Sequence, residues 1–316
     1  MKKKKNNIPK LITVIGPTAS GKTALAIKIA KKFNGEIINA DSRQIYKYLD
    51  IGTAKGKIVT HNSELTGHNF TINGVPIHLI NIVEPDEVLT LAEYQKLADA
   101  VIKNLSDTDK IPILVGGTGL YIDAVVFGYD IPHVEPDVLL RKELEGKSVE
   151  QLQKAIIIID RQFFENLNES DKRNPRRLIR AIELAQYGIK PYEEDQITRI
   201  PKYQTLFLSP HYEREKLYKR INKRVYKMIQ LGFLKEVKNI IKKGYTFKAH
   251  AMSAIAYPLA KKYLDGLLSK EEFIEKWQQA ERNYARRQIT WFRRYKVFSV
   301  KKIKDAYEKV EIYLKS

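Results

Sequence analysis

The chain contains no cysteine, and none of its apolar runs approaches the length of a membrane span. The absence of cysteine among 316 residues excludes disulfides, cysteine nucleophiles and thiolate metal sites, and is typical of a reducing compartment. The densest apolar run covers only residues 156–159, whereas a membrane helix needs about 20 apolar residues. The basic start at residues 1–5 leads into asparagines rather than an apolar signal segment. The sequence therefore predicts a cytoplasmic protein with no membrane partner.

Basic residues outnumber acidic ones, and almost all of the excess lies in the last third of the chain. The formal net charge is +19, from 56 Lys and Arg against 37 Asp and Glu. Residues 201–316 hold 28 basic and 11 acidic residues, whereas residues 1–125 carry a net charge of +4 and residues 126–200 one of −2. A polyanionic partner explains such a field, and so does a well-solvated, lysine-rich surface. Charge alone leaves both interpretations open.

Short β-rich runs alternate with helical patterns over the first part of the chain. The pattern predicts strands at 11–15, 37–40, 78–83 and 111–115, and helices at 23–33 and 90–104. Such alternation predicts an α/β fold with a parallel sheet and right-handed crossovers.

The rest of the chain is predicted to be mainly helical. Residues 206–208 are the exception, since they fit a strand that returns to the sheet. Two long C-terminal helices have apolar faces, formed by Leu217, Ile221, Val225 and Met228 in one and by Phe273, Trp277, Tyr284 and Trp291 in the other. We therefore expect two domains: an α/β core with long C-terminal helices, from residues 1–125 and 201–316, and a helical insertion at 126–200.

One segment matches the phosphate-binding pattern G-x-x-x-x-G-K-[ST] at every position. It consists of Gly16, Pro17, Thr18, Ala19, Ser20, Gly21, Lys22 and Thr23. It lies between a predicted strand and a predicted helix, as the pattern requires. Its glycines permit a tight loop whose N–H groups converge on phosphate oxygens, Lys22 adds a positive charge, and the Thr23 hydroxyl suits a Mg²⁺ shell. The segment predicts a P-loop NTPase-like core that binds a di- or triphosphate, without saying which molecule carries it.

Two aspartates each follow a short apolar run. The run before Asp160 continues from residues 149–154, which fit a helix, so we interpret Asp160 as the end of a packed helix. Asp41 follows the strand after the P-loop helix, which predicts a position at the carboxyl edge of the sheet, where ligands bind. A carboxylate there orients a metal-bound water or acts as a general base. Taken alone, a turn or N-cap aspartate is the commoner interpretation.

Several longer strings resemble one enzyme family. They are D-S-R-Q-I-Y from Asp41, I-G-T-A-K at 51–55, G-G-T-G-L-Y at 116–121, R-R-L-I-R-A-I-E at 176–183 and R-R-Q-I-T-W-F at 286–292. Together with the P-loop, and in this order, they resemble the bacterial type of the tRNA dimethylallyltransferase (tRNA isopentenyltransferase) family. The resemblance runs from Gly16 to Phe292, nearly the whole chain.

The resemblance implies transfer of a dimethylallyl group from dimethylallyl diphosphate to the exocyclic amine of the adenosine just 3′ of the tRNA anticodon, with release of diphosphate. It implies that Asp41 takes the proton of the attacking amine, and that Thr118 touches substrate in the same pocket; a turn-capping threonine is the alternative. It also implies that an arginine clamps the diphosphate. Arg224 is favoured over Arg220, which lies four residues earlier on the same helix face.

The resemblance further implies contacts with the tRNA anticodon stem-loop. These fall on Asp41, Ser42, Arg43, Gln44, Arg141, Arg176, Arg177 and Arg180. On the last long helix, Arg282, Arg286 and Arg293 share a face that suits phosphates, with ordinary surface charge as the alternative. A base in a folded loop must be extruded to reach an active site, so loop recognition applies rather than groove reading. No obligate protein partner is indicated, and we expect a monomer.

Other functions use the same phosphate loop. One is a small-molecule kinase that binds ATP, one a prenyltransferase acting on free adenylate, and one a non-catalytic RNA-binding NTPase module. The basic last third argues against small acceptors, and the module needs an effector domain that the sequence does not indicate. One segment departs from the family: Ala256 and Pro258 stand where a glycine and a basic residue are usual, so no RNA contact is carried over to it.

Overall fold

The computed structural model describes residues 8–60, 70–128, 134, 137–189 and 200–316. The basic tail at residues 1–5 lies outside the described residues. The chain divides into two compact units, one made of Met1–Gly128 and Pro201–Ser316 and the other of Tyr129–Ile200. In the part of the chain that the structure describes, no helix is both long and apolar enough to cross a membrane.

The first unit is built on one mostly parallel sheet. Its strands are β1 (Lys10–Ile15), β2 (Gly35–Asn39), β3 (Ile58–Thr60), β4 (Phe70–Ile72), β5 (Val75–His78), β6 (Ile111–Gly116), β7 (Gln204–Pro210) and β8 (Phe298–Val300). They lie in the order β3-β4-β5-β2-β6-β1-β7-β8. All pairs from β5 to β8 across the sheet are parallel, whereas β3 and β4 form an antiparallel edge. The predicted parallel α/β core is confirmed.

Helices make up most of the remaining structure. In the first unit they are α1 (Lys22–Lys32), α2 (Leu91–Asp107) and α3 (Gly119–Phe127). The second unit holds α4 (Val138–Leu144), α5 (Val149–Ile159), α6 (Arg161–Asn166), α7 (Glu169–Lys172) and α8 (Pro175–Gln186). The chain then returns to the first unit with α9 (Arg214–Gln230), α10 (Phe233–Lys242), α11 (Ala256–Leu264), α12 (Lys270–Phe292) and α13 (Ile303–Lys315).

The central strand β1 is buried on both faces, as expected of a parallel sheet covered by helices. Leu11 and Ile15 face one apolar core, which includes residues of α2, α3, α9 and α12. Ile12 and Val14 face a second core formed with α1 and α13. The loops at the carboxyl ends of β1, β2 and β6 therefore start from rigid, buried strands.

The predicted strand at 78–83 is wrong, because the strand ends where the prediction begins. The observed strand, β5, ends at His78. Leu79 and Asn81 have φ of 57° and 54°, in the left-handed region that a strand cannot contain. Leu79 and Ile80 are nevertheless buried. The apolar run thus reflects a buried loop rather than a strand.

The second unit packs four of its helices around a small apolar core. That core includes Leu152 and Ile156 of α5 and Leu178 of α8. Asp160 ends α5 and caps α6 by accepting a hydrogen bond from the Phe163 N–H at 2.8 Å. The interpretation of Asp160 as a helix end is confirmed.

The C-terminal helices bury one predicted apolar face and part of the other. All four predicted positions of α9 are buried: Leu217, Ile221, Val225 and Met228. On α12, Phe273 and Trp277 are buried, but the buried face continues through Glu281 and Gln288. Tyr284 and Trp291 are half-buried beside it. The apolar pattern therefore missed two polar residues whose partners lie elsewhere in the chain.

Candidate active site

The phosphate loop connects β1 to α1 and presents the N–H groups at the start of α1 to an anion, whereas its Thr18 and Ser20 N–H groups are bonded within the protein. Gly16 has φ 148°, and a Cβ atom there would lie 2.9 Å from the Ser20 hydroxyl oxygen, so only glycine fits. The helix begins at Lys22 and is preceded by Gly21, which has no side chain to cap the first N–H groups. These uncapped groups, together with the helix dipole, favour a negatively charged ligand.

A cavity of about 200 Å³ brings the predicted motifs together. The phosphate loop contributes Thr18, Ala19, Gly21, Lys22 and Thr23; the segment after β2 contributes Asp41 and Gln44; the G-T-A-K string contributes Thr53, Ala54 and Lys55; and α9 contributes Arg224. Segments that are far apart in sequence thus form one polar site at the carboxyl edge of the sheet, the usual ligand position in open α/β sheets.

Lys22 is one of the cations that line this cavity. Burial lowers the pKa of Lys22 to about 8; Asp41 and Glu281 oppose the shift, and the positive charge of Arg224 adds to it. Its Nζ atom lies 3.5 Å from the Pro17 carbonyl oxygen. An anion bound by the loop would raise the pKa of Lys22 again by supplying a negatively charged partner.

Asp41 lies directly after β2, as the sequence predicts. Its Oδ1 atom accepts a hydrogen bond from the Arg43 N–H at 3.0 Å, which fixes a turn, and the side chain lines the cavity. The turn and ligand-facing interpretations therefore both describe this residue.

Thr118 forms hydrogen bonds to the residues on either side of Asp41. Its Oγ1 atom accepts a hydrogen bond from the Ser42 N–H at 3.0 Å, and its own N–H donates to the Ala40 carbonyl at 3.2 Å. Within the described chain its hydroxyl makes no capping bond to α3, and Thr118 is not among the residues that line the cavity. Burial and, to a lesser extent, the negative charge of Asp41 raise the pKa of the hydroxyl of Tyr284, a residue of α12 that sequence reasoning placed only in an apolar face. Thr118 thus joins the ends of β2 and β6.

The two candidate arginines of α9 differ in position. Arg224 donates from Nη2 to the Thr18 hydroxyl and, at 3.0 Å, to Oε2 of Glu281. Its Nε–H is buried, with no hydrogen-bond partner among the described residues. Arg220 is exposed and is not one of the described residues that line the cavity. Of the two arginines, only Arg224 therefore presents, beside the phosphate loop, a buried donor without a hydrogen-bond partner in the described chain.

The segment after Asp41 is held by a carboxylate that sequence reasoning missed. Glu236 of α10 accepts hydrogen bonds from three consecutive N–H groups, those of Asp50, Ile51 and Gly52, at 2.8, 2.6 and 3.0 Å. The buried Tyr257 donates its hydroxyl to the same carboxylate at 2.8 Å. No local pattern identifies Glu236, since the backbone N–H groups that it accepts from are almost two hundred residues away in the sequence.

The segment that departs from the family pattern, around Tyr257, forms the start of α11. Pro258 is exposed in the first turn of α11, where proline needs no N–H partner. Between the two unusual positions, Ala256 and Pro258, Tyr257 is buried and donates its hydroxyl to Glu236.

The arginines predicted to contact tRNA fall into two groups in the second unit. Arg141 and Arg180 are paired with the fully buried Glu183, at 2.6 and 2.9 Å from Nε and Nη1. Burial alone would raise the pKa of Glu183, but the hydrogen bonds from both arginines outweigh it and lower the pKa. Arg176 and Arg177 are exposed, and Arg177 forms an ion pair with Asp171.

The remaining predicted RNA contacts occupy the first unit. Arg43 donates to the His250 carbonyl at 3.3 Å, and Gln44 to the Thr53 carbonyl at 2.9 Å. On α12, Arg282 donates to the side-chain oxygen of Asn222 at 2.6 Å, whereas Arg286 is exposed. Arg293 is exposed at the end of the helix.

Comparisons with known proteins agree over nearly the whole chain. A family model described as IPP transferase matches residues 44–295. A tRNA dimethylallyltransferase of Anoxybacillus flavithermus is 42% identical over 286 residues, which cover 90% of this chain and 87% of the relative. The crystal structure of a tRNA isopentenylpyrophosphate transferase from Bacillus halodurans is similar with a TM-score of 0.69 and 33% identity, covering 97% of each chain. Crystal structures of a eukaryotic dimethylallyltransferase acting on tRNA are similar with a TM-score of 0.71 and 27% identity, over 90% of this chain and 69% of that one.

Proposed function

The chain belongs to the IPP transferase family, whose members transfer a prenyl group to tRNA, and we propose that its donor is dimethylallyl diphosphate and its acceptor the exocyclic amine of the adenosine just 3′ of the anticodon. The observation that carries the proposal is the single cavity lined by the phosphate loop, Asp41 and Arg224. The relatives described above give no support to a small-molecule kinase or to a non-catalytic RNA-binding module. Because tRNA is the substrate, we expect the enzyme to act in the cytoplasm.

The donor diphosphate fits the phosphate loop. The free N–H groups at the start of α1 and the Lys22 ammonium would hold its oxygens. The buried Nε–H of Arg224 supplies a further donor from the opposite side. Together these groups stabilise the negative charge that grows on diphosphate as it leaves.

The residues present also fit Mg²⁺. Among the described residues there is no group of three or more His, Asp or Glu side chains that could hold an ion by themselves. The Thr23 hydroxyl and the Asp41 carboxylate do line the same cavity, and Mg²⁺ prefers one or two such oxygens together with phosphate and water. Bound there, Mg²⁺ would neutralise charge on the leaving diphosphate.

Asp41 is placed to accept the proton of the acceptor amine. In the transfer, the exocyclic nitrogen forms a bond to C1 of the dimethylallyl group, the C1–O bond to diphosphate breaks with its electron pair going to oxygen, and one N–H proton leaves. An adenine amine is barely basic, so its proton becomes acidic only as the new bond forms, and a nearby carboxylate then accepts it. Thr118 holds the segment that carries this carboxylate, because its hydroxyl accepts the Ser42 N–H.

We propose that tRNA binding uses exposed cations of both units. Arg176 and Arg177 of α8 and Arg286 of α12 are exposed, so that phosphates of the anticodon stem-loop can reach them; Arg177 would exchange its ion pair with Asp171 for such a contact. Asp41 and Gln44 line the cavity where the extruded base would enter, and Ser42 and Arg43 lie between them in the sequence. Arg141 and Arg180 are engaged with Glu183, so we assign them to shaping the unit rather than to phosphate contacts.

The proposal is tested by incubating the protein with Mg²⁺, radiolabelled dimethylallyl diphosphate and one of two unmodified tRNA transcripts. The first carries adenosine 3′-adjacent to the anticodon, and the second, matched transcript carries guanosine there. The proposal expects label in the first transcript only, mapped to that nucleotide by nuclease digestion. Equal labelling of both transcripts would refute the assigned acceptor, and labelling of neither would refute the donor or the activity.

A further inference from the structure

One buried side-chain amide of α12 uses both its oxygen and its nitrogen to bind backbone groups next to the active-site cavity. Gln288 is 4% exposed. Its Oε1 atom accepts a hydrogen bond from the Thr18 N–H at 2.7 Å, and its Nε2 donates to the Gly117 carbonyl at 2.8 Å. The amide is thus the only described side chain that hydrogen-bonds to both of these backbone groups.

One of the two bonded groups lies on the side of the proposed prenyl donor and the other on the side of the proposed acceptor. Thr18 lies in the phosphate loop, and its hydroxyl holds Arg224. Gly117 precedes Thr118, which holds Ser42 next to Asp41. One end of Gln288 therefore touches the donor side of the cavity, and the other touches the turn that supports the acceptor side.

The chemistry of this bridge requires an amide. A neutral amide presents an acceptor and a donor on one rigid plane, so it can satisfy an N–H and a C=O at the same time. Methionine has nearly the same length but offers neither group to the backbone, which would leave both backbone partners buried without a hydrogen bond. The space is also closed: a Cβ atom at Gly117 would lie 2.2 Å from Nε2 of Gln288.

We propose that Gln288 is a positioning residue that fixes the spacing between the phosphate loop and the turn behind Asp41, an inference that rests on the proposed function. The Thr18 N–H is occupied by Gln288, so the loop binds diphosphate through its later N–H groups, which do not depend on the bridge. Loss of the bridge therefore changes the alignment of donor and acceptor more than it changes donor affinity. A displacement reaction is sensitive to such misalignment, since a shift of about 1 Å costs about a hundredfold in rate.

The test compares two identical substitutions on one helix. Gln288→Met removes the bridge, whereas Gln278→Met removes a hydrogen bond from Gln278 to the Asn222 carbonyl, on the α9 side of the helix. The measurements are the single-turnover rate of transfer to tRNA, divided by the folded fraction from circular dichroism, and the dissociation constant of dimethylallyl diphosphate by calorimetry. We expect Gln288→Met to lose at least about tenfold in rate per folded molecule with a dissociation constant within about threefold of the original, and Gln278→Met to change neither.

Gly117→Ala tests the same bridge from its other end without removing a polar group, and serves if Gln288→Met folds poorly. Its methyl group would displace the Gln288 amide. The double variant is expected to lose no more than about threefold beyond the slower single variant, because both changes break one contact. A loss of activity that only follows the folded fraction, or independent losses that multiply in the double variant, would overturn the proposal. A failure of the proposed function is distinguishable, because the unsubstituted enzyme would then not label tRNA at all.

Discussion

The Nη2 atom of Arg224 lies 3.0 Å from the Oε2 atom of Glu281, a buried carboxylate of α12. The other oxygen of Glu281 accepts a hydrogen bond from the Trp277 indole N–H at 3.3 Å. The guanidinium is thereby held against the phosphate loop before any donor arrives. Preorganised charge of this kind stabilises a transition state without reorganisation during the reaction.

This arrangement predicts different effects of the two arginines of α9. Arg224→Lys should weaken binding of dimethylallyl diphosphate by about tenfold or more, because a lysine cannot contact Thr18 and Glu281 and also offer a donor like the unpaired Nε–H to the diphosphate. The matched change Arg220→Lys should alter binding by less than about twofold, since Arg220 is exposed and both side chains are cations. Calorimetry with the donor measures both. Equal effects would show that Arg224 does not clamp the diphosphate.

The lowered pKa of Lys22 predicts a pH dependence of donor binding. In the free protein the pKa is about 8. Below that pH the ammonium is already charged, and above it a proton must bind together with the diphosphate. Donor affinity should therefore be highest below about pH 8 and fall by up to about tenfold per pH unit above it.

Calorimetric titrations across this pH range check the prediction. Lys22→Arg is the control, because a guanidinium keeps its charge throughout. Its affinity should lack the decline that starts near the pKa of Lys22. The assignment fails if both proteins show the same pH profile.

The active-site loops are well predicted by sequence, whereas the residues that hold them are not. The phosphate loop and Asp41 lie in contiguous strings, whose local pattern predicts their position at the carboxyl edge of the sheet, where they line one cavity. Gln288 binds Thr18, Glu281 binds Arg224 and Glu236 binds Asp50, at separations of 270, 57 and 186 residues, so no local periodicity identifies these contacts. A buried polar residue on a helix looks like a break in an apolar face until its partner is known.

One strand was predicted wrongly, again because the local pattern does not show what the residues pack against. The strand predicted at 78–83 is apolar because its residues are buried, not because they are extended. Burial and backbone conformation produce the same sequence pattern in a short run. The antiparallel edge of β3 and β4 was not predicted either, since its strands are only three residues long.

The ion pairs of Glu183 predict that arginines of the second unit have separate roles. Arg141→Ala leaves Glu183 with one cation in place of two and should reduce the free energy of unfolding of this unit by about 3 kcal/mol. Arg176→Ala should leave stability unchanged and lower the slope of log tRNA affinity against log salt by about 1, as expected for one lost phosphate contact. Denaturation and filter binding at several salt concentrations measure the two effects. A change of stability in Arg176→Ala, or none in Arg141→Ala, would contradict this division.

The contacts of Glu236 predict that its carboxylate stabilises the segment at residues 50–52. Glu236→Gln turns one acceptor oxygen into a donor that faces backbone N–H groups or the Tyr257 hydroxyl. The expected loss is about 2 kcal/mol of unfolding free energy, from hydrogen bonds to a charged group that are no longer made. Glu275→Gln, at an exposed position of α12, is the matched control and should change stability by less than about 0.5 kcal/mol. Urea unfolding of both variants decides, and equal stabilities would mean that the carboxylate is not needed.

The proposed role of Asp41 is tested most directly by the single-turnover rate of dimethylallyl transfer to tRNA in Asp41→Asn. An amide keeps the shape and can still accept the Arg43 N–H, but it cannot take a proton. Asp86→Asn, the same change at an exposed position, is the control. We predict that Asp41→Asn loses at least about a thousandfold in rate while its tRNA dissociation constant stays within about twofold, as expected for loss of a general base. A transfer rate within about tenfold of the unsubstituted enzyme would contradict the assignment of Asp41 as the base.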